Sequence, residues 1–403
     1  MNLNFPNLRH LRVCLDVAKT NSVSATSRRV HLSQPAISQA ISKLEKMLGI
    51  DLFDRRANGI FPTHTGELYF ERVARALAHL EQGTTASLRL GSDRRGIDKN
   101  YDRFLTAAQL RALIALSRAN NFSLAARSIG ISQPSIHRAA RDLEKLAGTE
   151  FFKLGKQGVE LTKSAEILSR HAMLAAAELR HGHSEIQERL GLEPSRIYLG
   201  TLPLARSRIL PLSIDAVIKE NRFLQVVVID GLYSEQLQRL RQGEIDFVIG
   251  ALRDQEPSDE IVQETLFIDM LAVVVRKGHP ITQKKNVSVD DVLAYPWIAP
   301  PKDTPTGKYL LQKLGIAAMD ATPVRVVSSS LLLIRSMLLR DDYMTIISTH
   351  QIRQELEQGD LVQVGLDMSD SDRRIGLTYR AGWHPTPNQN RLLDIIRAVS
   401  KET

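Results

Sequence analysis

Two stretches of this chain are copies of one another. Sliding Leu11 to Glu67 onto Leu110 to Glu166, an offset of 99 residues with no gap, matches 18 of 57 positions, among them Ser33, Gln34 and Pro35 on Ser132, Gln133 and Pro134. A repeat of this kind marks a structural unit used twice. Each copy carries three apolar rows at helical spacing: Leu11, Cys14, Leu15 and Ala18, then Val23, Ser27 and Val30, then Ile37, Ile41, Leu44 and Leu48. Leu110, Leu113 and Ile114, then Phe122, Ala126 and Ile129, then Ile136, Ala140, Leu143 and Ala147 repeat the plan. Each set closes a small three-helix core.

The third helix of each copy has a clear start. Ser33 and Ser132 cap the free amides, and Pro35 and Pro134 fall in the first turn, where proline costs little. Between the second and third helices only His31 and Leu32, or Gly130 and Ile131, precede the cap. So short a link forces a large angle, which is the geometry of a helix-turn-helix. A short strand pair is expected around Asn58 and Gly59 and again around Gln157 and Gly158, giving each copy a wing.

The apolar stripe of the third helix leaves Gln34, Ala36, Ser38, Gln39 and Ser42 facing outward in the first copy. Gln133, Ser135, His137, Arg138 and Arg141 do so in the second. Small, amide and guanidinium side chains suit base edges, and a helix fits the major groove of a duplex.

Each copy resembles the winged helix-turn-helix of LysR-type transcriptional regulators. The residues that carry the likeness run from Ser24 through Ser33, Gln34, Pro35, Ile37 and Ser38 to Leu44, Glu45, Gly49, Leu52, Phe53, Arg55 and Thr63. The resemblance implies that the third helix reads the major groove and that a long linker helix after the wing pairs two subunits. It places Ser33, Gln34, Pro35, Ala36, Ser38, Gln39, Ser42, Arg55 and Arg56 on DNA, with Ser132, Gln133, Pro134, Ser135, His137, Arg138 and Arg141 as their counterparts. The second copy departs from the pattern in its wing, where Leu154 and Gly155 stand in place of Arg55 and Arg56. Lys153 and Lys156 are the cations left to meet phosphates there.

Charge follows the same division. Residues 1–194 hold 28 Lys and Arg against 19 Asp and Glu, and residues 195–403 hold 25 against 26. The basic character of the chain thus lies in the half that would face phosphates. No apolar run approaches the roughly 18 residues of a membrane span, and the amino terminus has no signal-peptide pattern, so a soluble cytoplasmic protein is expected. The single cysteine, Cys14, excludes an intrachain disulfide and reads as a small core residue.

Polar Gly91 to Arg103 reads as the loop between the copies. Amphipathic helices are expected from Thr63 to about Leu90 and from Lys163 to about Leu190, the second stopped by Gly191 and Pro194. Neither buries its stripe alone. Its partner is either the other copy in the same chain or the equivalent helix of a second subunit.

From Ser195 the pattern becomes a strand-helix alternation, which implies parallel sheet. Strands are expected at Ile197 to Gly200, Val226 to Ile229, Asp246 to Gly250, Leu271 to Val275, Val324 to Val327, Thr345 to Ser348 and Gly376 to Tyr379. Helices are expected at Ser207 to Glu220, Ser234 to Gln242, Leu331 to Leu339 and Asn388 to Val399. Residues 195–403 resemble the effector domain of LysR-type regulators, through Gly200 to Pro211, Leu240 to Gly250 and Val274 to Pro280. Gly200 to Pro211 and Gly382 to Pro387 are further similar to a galactose-binding-protein-regulator subgroup.

The fold expected is therefore α+β and multi-domain: two tandem winged helix-turn-helix domains, then a two-lobed α/β domain like a periplasmic binding protein. The first copy with its linker takes residues 1–90, the loop 91–103, the second copy 104–191 and the effector domain 195–403. Crossings near Met270 and Asp370 divide the last into lobe 1, 195–269 and 371–403, and lobe 2, 270–370.

Strand ends and helix starts offer free amides and hydroxyls to a ligand. Those considerations select Thr201, Leu202, Arg206, Trp297, Thr304, Thr306, Ser328, Ser329 and Ser330 for a small anionic or sugar-like effector. Helix capping is the competing account of the serine run, and an acidic neighbour that of Arg206. His181 and His183 read as solvent-exposed. No nucleophile elbow, phosphate loop or metal-ligand spacing occurs, so neither catalysis nor a cofactor or metal is expected. The partners implied are a double-stranded operator, the effector, further copies of the chain as a dimer or tetramer, and RNA polymerase. The alternative is a small-molecule sensor whose repeats serve only dimerisation.

Overall fold

A computed structural model describes residues 5–90, 100–155, 158–191, 195–253, 258–316, 319 and 321–402. They form two compact units, one ending at Ser195 and one comprising most of the remainder.

In the first unit, α1 (Leu8–Thr20), α2 (Val23–Val30) and α3 (Gln34–Leu48) are followed by a hairpin of β1 (Phe53–Arg56) and β2 (Gly59–Pro62), and then by α4 (His64–Leu90). The second copy repeats the order as α5 (Ala107–Ala119), α6 (Phe122–Ser128), α7 (Gln133–Ala147), β3 (Phe152–Gly155), β4 (Gly158–Leu161) and α8 (Lys163–Leu190). Lys156, Gln157 and residues 91–99 of the expected connecting loop lie outside the described residues. The end of that connection is a short 3-10 turn, Tyr101–Phe104, with Tyr101 buried and the Asp102 carbonyl accepting from Arg12.

Local chemistry explains both the starts and the stops. Ser22 and Asn121 cap α2 and α6, Ser33 and Ser132 cap α3 and α7, and Gly49 and Gly148 end the latter pair in the left-handed region. That region is the usual helix exit and favours glycine. Ile37, Ile41, Leu44 and Leu48 are buried with Leu11, Cys14 and Val17 in one core that also takes in Leu110, Leu113, Leu143 and Leu168. Cys14 sits wholly inside it, and burial pushes its thiol up to about 12.

The second unit holds two five-stranded sheets. Its elements run β5 (Arg196–Thr201), α9 (Ile209–Glu220), β6 (Gln225–Asp230), α10 (Tyr233–Arg241), β7 (Phe247–Ala251), β8 (Ile261–Asp269) and β9 (Leu271–Arg276). They continue as α11 (Val289–Leu293), β10 (Trp297–Ala299), α12 (Pro305–Lys313), β11 (Val324–Val327), α13 (Leu331–Leu338), β12 (Met344–Ser348), α14 (Arg353–Gln358), β13 (Leu361–Gln363), β14 (Arg373–Arg380) and α15 (Pro387–Lys401).

Strand order is β6-β5-β7-β14-β8 in one sheet and β11-β10-β12-β9-β13 in the other. The chain leaves the first sheet at Met270, between β8 and β9, and returns to it between β13 and β14. The alternation implied parallel sheet, but both sheets are mixed. β5 runs parallel to β6 and β7, whereas β14 is antiparallel to β7 and β8, and β9 is antiparallel to β12 and β13. Strands that carry the chain between lobes enter each sheet from the opposite end, which reverses their direction. Among the described residues no helix is long and apolar enough to cross a membrane.

Candidate nucleic-acid interface and effector cleft

Each head exposes the start of its third helix and carries a two-stranded wing after it. Ser33 accepts from the Ala36 amide at 3.4 Å, so its hydroxyl is engaged as a cap at the outer end of α3. Gln34, Pro35, Gln39 and Ser42 are exposed there, and Ala36 and Ser38 are half-exposed. On α7, Ser132 caps Ser135, while Gln133, Pro134, Ser135, Arg138 and Arg141 are exposed. His137 is different, because its ring lies flat on Phe122 with centroids 3.8 Å apart and is half-buried. The Ser123 hydroxyl also donates to Gln133 at 3.0 Å.

The wing is tied to the head by a device present in both copies. One carboxylate oxygen of Glu45 accepts from the Leu52 and Phe53 amides at 2.9 and 3.3 Å, and Glu144 accepts from Phe151 and Phe152 at 2.8 and 3.0 Å. At the hairpin, the Ile60 amide donates to the Asn21 carbonyl at 3.1 Å and the Val159 amide to Asn120 at 2.8 Å. Gly59 adopts φ of 151°, and a side chain there would meet the Asn21 carbonyl. Hence the wing approaches the end of the first helix so closely that only glycine fits.

The wing tips differ. Arg55 and Arg56 are exposed on β1, with Arg56 3.6 Å from Asp54 and stacked 5.2 Å above Phe61. On β3, Lys153 is exposed 3.9 Å from Glu150, and Leu154, at the position of Arg55, is 91% exposed. Lys156 lies outside the described residues.

The linker helices α4 and α8 pack against each other within the chain. Arg72, only 3% exposed, donates to Glu178 at 3.1 Å and to Glu185 at 2.7 Å, and Arg75 donates to Glu178 at 3.0 Å. Burial opposes the charge on Arg72, yet Glu185 and Glu178 outweigh it and hold the guanidinium above its ordinary value. Burial likewise opposes ionisation of Glu178, and Arg72, His181 and Arg75 overcome it, holding the carboxyl below its usual value. His181, expected on the surface, is instead buried beside this cluster, and His183 is half-buried. Spacing alone could not show that a second helix covers that face. Among the described residues no group of His, Cys, Asp and Glu is set to hold a metal.

In the second unit a cleft of about 500 Å³ lies between the two sheets, lined among others by Leu202, Arg206, Thr304, Thr306, Ser328 and Ser329. The other three selected residues do not line it. Thr201 is fully buried with its hydroxyl on the Leu202 carbonyl, and Ser330 caps α13 through the Leu333 amide. Trp297 is fully buried in the second lobe and donates to the Val292 carbonyl at 2.8 Å. A tryptophan on a strand covered on both faces has no route to the cleft. Arg206 meets Asp230 at 3.2 Å, the acidic neighbour that competed with a ligand carboxylate.

Sequence reasoning did not select Arg253, Arg373, Tyr233 or Gln351, which also line the cleft. Arg253 stacks on Tyr233 at 4.0 Å. Arg373 donates to buried Asp269 at 2.8 Å and to Thr306, at the start of α12, at 2.8 Å. Asp269 also accepts from Ser348 at 2.6 Å and lies 3.7 Å from His350, whose imidazole is lowered by burial against the pull of Asp269. These residues are far apart in the chain and meet only where it crosses between sheets.

Comparison with known proteins places this architecture. Residues 191–401 match the LysR substrate binding domain, and residues 8–67 and 107–166 each match the bacterial regulatory helix-turn-helix protein, lysR family. The chain belongs to the LysR family of DNA-binding transcriptional regulators, proteins whose operator binding answers to a small-molecule effector. It is 30% identical to the HTH-type transcriptional regulator GalR of Pseudomonas putida over 403 residues, covering 100% of this chain and 99% of that one. The regulator PcaQ of Agrobacterium fabrum is 25% identical over 301 residues, 75% of this chain and 97% of its own. A full-length OxyR variant from Pseudomonas aeruginosa shares the fold, with a TM-score of 0.52 at 19% identity over 74% of this chain and 95% of that one.

Proposed function

We propose that this regulator contacts DNA through the exposed starts of α3 and α7, with the first wing supplying Arg55 and Arg56 to the phosphate backbone. The observation that supports this is what each head exposes, a polar start on its third helix and a two-stranded hairpin that follows that helix. The first head carries its cations on the wing, where they add sequence-independent affinity, and offers small and amide side chains for base edges. Control of transcription is its whole role, without catalysis, and its site of action is the cytoplasm.

The effector is a small anion. Arg206 and Arg373 enter the cleft together with the start of α12, through Thr304 and Thr306, and with Ser328 and Ser329 on the connection that leads into α13. Helix starts and guanidinium groups favour negative charge. Seated there, an anion would compete with Asp230 for Arg206 and draw the lobes together around the crossing strands. A sugar-like ligand is the second reading, supported by the hydroxyls of the cleft beside acidic Asp230, Glu235 and Asp303.

Thermal melting with small carboxylic acids and with monosaccharides separates these ligands, because a ligand of the folded state raises the transition temperature. A rise with carboxylates that R206A abolishes supports the anion, and one confined to sugars overturns it. Gel shift on the DNA flanking the coding region tests the whole reading. Absence of salt-sensitive, sequence-selective binding would leave a sensor whose repeats only pair.

A further inference from the structure

The linker helices repeat at the same 99-residue offset as the heads, so each seam residue has a counterpart. Arg72 corresponds to His171, His79 to Glu178, Gly83 to Gly182 and Ala86 to Glu185. The structure pairs them as a pseudo-twofold. At one end Gly182 faces Arg72, and a methyl group on it would come within 3.1 Å of the Arg72 Cβ. At the other end Gly83 faces His171, and the corresponding approach is 2.5 Å. Each glycine lets the facing side chain approach closely: a methyl group at position 83 would overlap His171, and one at 182 would press on Arg72 and Tyr69.

The surroundings of those two points are not equivalent. Beside Gly182, Arg72 meets Glu178 and Glu185; beside Gly83, His171 meets His79, with ring centroids 6.1 Å apart. Pairing α4 with a second α4 in this geometry would set Arg72 against His79 and Ala86, with no carboxylate for a buried guanidinium. Pairing α8 with a second α8 would set His171 against Glu178, a pair fully charged only when the imidazole is protonated. Only the unlike pairing joins permanent opposite charges, the device by which coiled coils select partners.

We propose that these charges make the amino-terminal unit a heterotypic pair within one chain, so that a single chain supplies both heads of a DNA reader and recognises two unlike half-sites. The second clause rests on the assignment of both heads to DNA; the first does not.

Crosslinking of the full chain tests the pairing. H79C/H171C treated with a short bismaleimide should give an internally bridged monomer by mass spectrometry, with the wild type, whose Cys14 is buried, as blank. A covalent dimer from H79C/H171C, or from H79C alone, overturns it. Melting gives an independent reading. R72E should lower the transition by several degrees, and adding E178Q and E185Q should restore most of it, because those carboxylates face position 72 only in the unlike pairing. An unmoved transition in R72E, or no restoration, overturns the proposal. Selection of duplexes from a randomised pool by the full chain reads the second clause. Two dissimilar half-sites are expected, and a perfect inverted repeat of one half-site overturns it. Failure to enrich any sequence would reject the DNA assignment while leaving the crosslinking result in force.

Discussion

The two heads share a backbone plan and divide their chemistry differently. In the first, the reading face of α3 is uncharged and the cations stand on the wing, as Arg55 and Arg56. In the second, Arg138 and Arg141 are on the reading face and the wing exposes Leu154. What both retain is structural: the serine cap, the carboxylate that anchors the wing, and the glycine that lets the hairpin approach the first helix. The two copies keep the residues that build the head and differ in the exposed residues proposed to meet DNA. The second head thus differs from the first in the charges it exposes, not in the contacts that build it.

The largest expected effect concerns that division. R55A/R56A should weaken DNA binding tenfold or more at about 0.1 M salt and reduce the salt slope of log K by about two, one for each phosphate left without its arginine. K153A should change the slope by less than one. Fluorescence anisotropy across a salt series measures both, and an equal loss from the second wing would remove the asymmetry.

Next come the anchors shared by the heads. E45A and E144A each strip two amides of their acceptor, which should cost about 1–3 kcal/mol in either copy. Equal falls in melting temperature are expected, and a large difference would show that one head folds more loosely than its twin.

A smaller effect is expected at His137, whose stack on Phe122 has no counterpart at Ser38. H137A should cost about 0.5–1.5 kcal/mol and S38A almost nothing. If H137A changes DNA affinity while leaving melting untouched, the ring reads bases and does not brace the head.

The linker seam adds a dependence on pH. Glu178 sits below its ordinary value of 4.5 in the folded chain, so its contribution to stability is complete above 4.5 and is lost as the pH falls through the lower folded value. Arg72 and Arg75 hold it there, with His181 and Glu185 alongside. Melting temperature should drop more steeply below pH 4.5 in the wild type than in E178Q.

The heads were legible because their signals are local. Caps, apolar rows and the short turn all act within a few residues, and the two linker helices begin and end within two residues of the positions that spacing predicts. The second unit was less legible. The strand Ile261–Asp269 is hidden in the sequence because Gln263, Glu264 and Asp269 interrupt its apolar pattern, as a strand at the edge of its sheet, next to β14 among the described strands, allows. Trp297 suggested a ligand wall and is core, since neither its depth nor its strand's neighbours can be read from spacing. Arg373 and Asp269 lie 104 residues apart and became visible as a pair only once the crossings were folded.

By itself the sequence determined that there are two heads, where each helix starts, which side chains carry charge and that α4 and α8 each hold an apolar stripe needing cover. Tertiary structure decided what covers it. An amphipathic stripe states that a helix must be buried but not against what. The choice of α8 as partner for α4 resides in pairs such as Arg72 with Glu178, 106 residues apart, which exist only once both helices are in place.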